Sequence, residues 1–122
     1  MASKYQAYNS FWNSFGWSAY DALTVPDDVK LPYITFETPS DHLGSSLPVT
    51  VLLFDRSNSW TDVTNKAEEI VSAVTRGGKL IKYDDGAFWI KWASPLSQRM
   101  SDDSNDDSIR KIVLNFELEF FD

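Results

Sequence analysis

A nucleophile-and-base relay needs an imidazole or an equivalent base, and His42, the single histidine, sits in the polar stretch DHLGSS with no motif around it. The serines lack a GxSxG elbow, and neither a GxxxxGK[ST] nor a GxGxxG phosphate loop occurs. Gly77-Gly78-Lys79 reads as a helix stop. Asp84 with Asp85, and Glu68 with Glu69, are neighbours in sequence, whereas glycosidase carboxylates converge on a substrate from a set separation; they read as turn and helix surface. Asp103, Asn105 and Asp107 begin like a calcium loop, but the glycine position is Ser108 and the twelfth position is Leu114 instead of a bidentate glutamate. The expectation is no catalytic residue, no cofactor and no metal.

The five tryptophans raise a different chemistry, a stacking platform for glycans. Trp89 and Trp92 are its best candidates. Three residues apart on a strand, they face opposite sides, so one belongs in the core and the other at an interface.

These residues need elements to hold them. Ser3 and Gln6 form a capping box, and Tyr5, Tyr8, Trp12 and Phe15 recur at helical spacing before Gly16, which predicts a short amphipathic helix. Residues 17–30 read as irregular, with the turn-like TVPDD inside them. Tyr33, Ile34, Thr35 and Phe36 make a strand, and residues 49–54, apolar on both faces, a buried central one. Trp60, Val63, Ala67, Ile70, Val71 and Val74 share one helical stripe, with Ser59 as N-cap, Asp62 and Arg76 suiting the dipole, and the glycine pair as terminator. Residues 80–83 and 88–92 flank Asp84-Asp85-Gly86, where Asp-Gly supplies the positive backbone angles of a tight hairpin. Ile112, Leu114, Phe116, Leu118 and Phe120 alternate with wetter positions in a last strand.

The order α-β-β-α-β-β-β predicts an α+β fold, a mostly antiparallel sheet of about five strands with two helices packed on one face. A chain of 122 residues without repeats makes one domain, residues 1–122. Eleven basic against 18 acidic side chains give a charge of −7, which argues against general binding to nucleic acid or anionic lipid. Zero cysteine removes disulfides, thiolate metal sites and a cysteine nucleophile. MASKYQAYNS carries no signal-peptide apolar core and no run approaches a membrane span, so synthesis in a cytoplasm and no membrane association are expected.

Read as ordered strings, FWNSFGWSAY, TVPDD, LPYITF, Ser59-Trp60 with KAEEI, and RGGKLIKYDDGAFWIKWASPLSQRMSD resemble the tail-terminator, or tail-completion, proteins of long-tailed phages of Gram-positive bacteria, also labelled minor capsid or head-tail joining proteins. The similarity spans nearly the whole chain. It departs from the family at Ser18, where proline is expected, and in the length of SDDSNDDS.

The resemblance implies a non-enzymatic virion subunit, made in the host cytoplasm, that forms a homo-hexameric ring on the head-proximal end of the tail tube. The ring stops tube polymerisation and docks to the neck or connector protein, while genomic DNA passes through without sequence-specific binding. Within that frame Asp84, Asp85, Asp102, Asp103, Asp106 and Asp107 are candidates for the ring lumen or an end face, with an outward solubilising loop the alternative. Trp89, Trp92, Arg99 and Arg110 are candidates for the subunit interface. A head-completion or connector-adaptor neck ring is the alternative assignment, and a glycan-binding module the remote one.

Overall fold

The computed structural model describes residues 3–39, 46–100 and 108–121. The fold is α+β, with two helices and a mostly antiparallel sheet. Helix α1, Lys4–Asn13, starts on the expected capping box: the Ser3 hydroxyl accepts from the Gln6 N–H, and the Gln6 side chain accepts from the Ser3 N–H at 3.0 Å. Gly16, at φ +89°, turns the chain after it.

Among the described residues the sheet has six strands, which corrects the expected five and makes the order α-β-β-β-α-β-β-β. The added strand is β1, Ser18–Asp21, inside the stretch read as irregular. Four residues are too few to show a period, and β1 is held by parallel pairing to β2, Tyr33–Phe36, which lies across a long turn. The central pair is β3, Ser46–Arg56, against β6, Ile109–Phe121. Strand β4, Lys79–Tyr83, and β5, Gly86–Met100, complete the spatial order β1-β2-β3-β6-β5-β4. Strand β5 runs well past residue 92, because a register shift between Trp92 and Ser97 absorbs Pro95 and the Asn115 side chain donates to the Pro95 carbonyl at 2.8 Å.

The strand registers place Val49, Val51 and Leu53 of β3 beside Phe116, Leu114 and Ile112 of β6, and Phe88 and Ile90 of β5 beside Phe120 and Leu118. Both helices cover this face. Trp12 and Tyr8 of α1 are fully buried; the Trp12 ring lies 6.2 Å from Phe36 and 5.7 Å from Phe116, and Tyr8 lies 5.5 Å from both Phe36 and Phe88. Helix α2, Thr61–Val74, buries Val63, Ala67, Ile70 and Val74.

Four local expectations for α2 and the hairpin are corrected. Trp60, not Ser59, is the N-cap residue, and the Ser59 hydroxyl instead accepts from the Thr61 N–H at 3.0 Å, one residue early. Trp60 therefore precedes the buried stripe and is only half-buried. The helix ends at Thr75, which has φ +63°, and Gly78, at φ +94°, turns the chain, while Gly77 has no positive φ and Arg76 lies outside the last turn. The Asp84-Asp85-Gly86 turn has no positive φ, so Gly86 simply opens β5.

Candidate functional site

Residue type and register give the sheet face opposite the helices, which is uncovered among the described residues, two apolar groups. At one end Tyr33 of β2 stacks on Phe54 of β3 with centroids 4.8 Å apart, Tyr20 of β1 lies 6.3 Å from Tyr33, and the Lys111 ammonium sits 5.5 Å from the Phe54 ring. Met100, opposite Lys111, extends this row and is 42% exposed. At the other end Trp89 pairs with Leu80 across β4 and β5, and Phe121 follows on β6; Leu80 and Phe121 are 45% and 44% exposed. Between the two groups the surface is polar: Thr50 donates to the Asn115 side chain at 3.2 Å, and Lys91 pairs with Glu117 at 3.3 Å.

Trp89 and Trp92 face opposite sides of β5. Trp92 is turned towards the helices, and its indole N–H donates to the Val71 carbonyl at 3.0 Å, sealing the side of α2. Trp89 is half-buried on the uncovered face, where its ring lies against Gly78 so closely that a Cβ there would come within 2.7 Å of it. Two tryptophans split between faces cannot form one flat platform.

Arg99 and Arg110 converge on one ring within the subunit. Their guanidinium carbons lie 4.8 Å and 5.5 Å from the Trp60 ring, an arrangement that draws on the ring's negative face. Arg110 is also directly opposite Asp55, which is buried. This cationic corner brings together the start of α2 with β5 and β6, and the hydroxyls of Ser59 and Thr61 adjoin it. Sequence reasoning separated its members: Trp60 was expected in the core and the two arginines at a subunit boundary.

A second connection runs between the helices. The Lys66 ammonium donates to the Phe15 carbonyl, pairs with Glu69 at 3.1 Å and lies 5.7 Å from the Trp17 ring, tying α2 to the turn after α1. Tyr8 donates to the Glu37 carbonyl at 2.6 Å. Its phenol is pushed well above the ordinary value, chiefly by burial, with the neighbouring Trp12 indole pulling the other way.

Of the acidic candidates, Asp84 and Asp85 are exposed in the β4–β5 turn. Asp102, Asp103, Asp106 and Asp107 lie outside the described residues, as does His42. Among the described residues no group of three or more His, Cys, Asp or Glu is placed to hold a metal ion, and no helix is long and apolar enough to cross a membrane. The residues that sequence reasoning missed are Tyr20, Tyr33, Phe54, Leu80 and Phe121. The signal for Tyr33 and Phe54 was present as odd members of strands whose partners alternate inward, while Tyr20 needed the unseen β1. Comparison of the chain with known protein families and with curated proteins gives no match to either.

Proposed function

We propose that this chain is a structural virion subunit that forms a six-membered ring at the head-proximal end of a phage tail tube, arrests tube growth and presents the docking surface for the neck. The resemblance of its ordered strings to tail-terminator proteins supports this reading. The observation that carries it is the pair of separate apolar groups on the uncovered sheet face, Tyr20-Tyr33-Phe54 and Leu80-Trp89-Phe121. A ring closes head to tail through two different patches of one subunit, whereas a twofold dimer uses one patch twice. Tube protein and neck protein are the further partners, and DNA passes through the ring.

Growth kinetics test the proposal. Light scattering of purified tube protein should stop rising early when this chain is added at about one ring per tube, and the final amplitude should fall as more is added. Unchanged growth across that range, together with binding to portal-containing heads, would replace the terminator reading with the neck-ring one.

A further inference from the structure

The two edges of the sheet, β1 and β4, differ in how their outward backbone is treated. At β1 the Asn13 amide brackets Ala19: its oxygen accepts from the Ala19 N–H at 2.9 Å and its nitrogen donates to the Ala19 carbonyl at 3.2 Å. That copies one rung of a ladder and closes the edge. At β4 the two-residue turn sets Tyr83 opposite Gly86 and Ile81 opposite Phe88. Antiparallel alternation then turns the N–H and C=O of Leu80 and Lys82 outward. Both residues are exposed, and among the described residues no further backbone hydrogen bond meets them.

Beside this edge, on the helix side, lies a groove of about 390 Å³ whose apolar lining is Ala7, Phe11, Phe15, Ala73 and Ile81, with Ser10, Ser14 and Lys79 as its polar members. Along the edge itself Arg76, Lys79 and Lys82 are all exposed, in a chain of net charge −7, and the nearest carboxylates in sequence, Asp84 and Asp85, lie past its end in the β4–β5 turn.

We propose that the β4 edge and this groove form a docking site for an extended segment of a partner protein in which apolar and acidic residues alternate. The added strand would bond to Leu80 and Lys82, direct its apolar side chains into the groove and set its carboxylates beside Lys82 on the other face. The chain already contains this chemistry once, where Lys91 of β5 meets Glu117 of the alternating strand β6 at 3.3 Å. A second copy is a poor occupant: its β1 edge is closed by Asn13, and β4 against β4, in the register that bonds both Leu80 and Lys82, would set each Lys82 opposite Leu80 instead of a carboxylate. The site and its test need one subunit only; because Leu80 also belongs to the second apolar group, ring closure through that group would compete with the segment.

A fluorescein-labelled peptide of seven alternating valine and glutamate residues is the probe. Fluorescence polarisation with the full chain should saturate below about 1 mM, and Lys82→Glu should weaken binding about tenfold. Replacing the glutamates by lysine should weaken it comparably, and N-methylation of alternate peptide amides should abolish it. Leu80→Pro, which removes an outward N–H without touching the β4–β5 ladder, should also abolish it. No saturation by the first peptide, or equal binding of its N-methylated form, would overturn the proposal, and neither readout depends on how the proline variant folds.

Discussion

Trp12 is the largest fully buried side chain among the described residues, and it touches rings from β2 and β6 as well as its own helix. Trp12→Ala should cost about 3–5 kcal/mol by denaturant unfolding. Trp60→Ala, at a half-buried ring under two guanidiniums, should cost clearly less, and its main effect should be to loosen Arg99 and Arg110. Tyr8 gives a pH dependence of defined sign. Its folded pKa is raised above the ordinary 10.0, so above about pH 10 the unfolded chain has released a proton that the fold retains, and stability falls as pH rises. Tyr8→Phe should lose about 1 kcal/mol at neutral pH with the Glu37 hydrogen bond, and should flatten the alkaline decline; an unchanged alkaline slope in the variant would assign the decline to other groups. At this scale the sequence was readable where side chains follow a period, as for Tyr8 and Trp12. It was not readable where distant residues meet: nothing in the spacing of Trp60, Arg99 and Arg110 announces a common corner, because β5 and β6 bring them together only across the register shift.

At the scale of elements, glycine chemistry separates two neighbours that look alike in sequence. Gly78 has φ +94° and a Cβ there would lie 2.7 Å from the Trp89 ring, whereas Gly77 has open space around it. Gly78→Ala should therefore destabilise by roughly 1–3 kcal/mol, while Gly77→Ala should be neutral or slightly stabilising; thermal unfolding of the two variants in parallel measures the contrast. Asn13→Ala should cost about 1–2 kcal/mol, because it strips both hydrogen bonds from Ala19. It also opens the β1 edge, so self-association on concentration should rise. The helices and β6 followed from periodicity, since α2 and β6 have one wet and one dry face, while β2, β3 and the β4–β5 hairpin followed from apolar runs and turn residues. Strand β1 stayed hidden because its stability comes from parallel pairing and from Asn13, neither of which is local. Strand β5, expected to end at residue 92, runs on because a bulge, stabilised by Asn115 from another strand, accommodates Pro95 within it.

For the whole molecule, fold class was legible because runs of strands separated by single helices exclude a regularly alternating parallel sheet. The surfaces were less so. An outward aromatic and an inward one are the same letter, and only the register of β2, β3 and β6 sets Tyr33 and Phe54 on the uncovered face. The ring proposal joins this face to the exposed carboxylates of Asp84 and Asp85, which suit a lumen that repels DNA. Virions carrying Asn at both positions should assemble with normal tails but eject DNA abnormally in a single-particle ejection assay; normal ejection would move that turn away from the lumen. The most direct measurement is negative-stain microscopy of tail tubes assembled with and without this chain, scoring both ends of each tube. The ring reading predicts shortened tubes with a sixfold cap at one end only. Long tubes with two bare ends would contradict it.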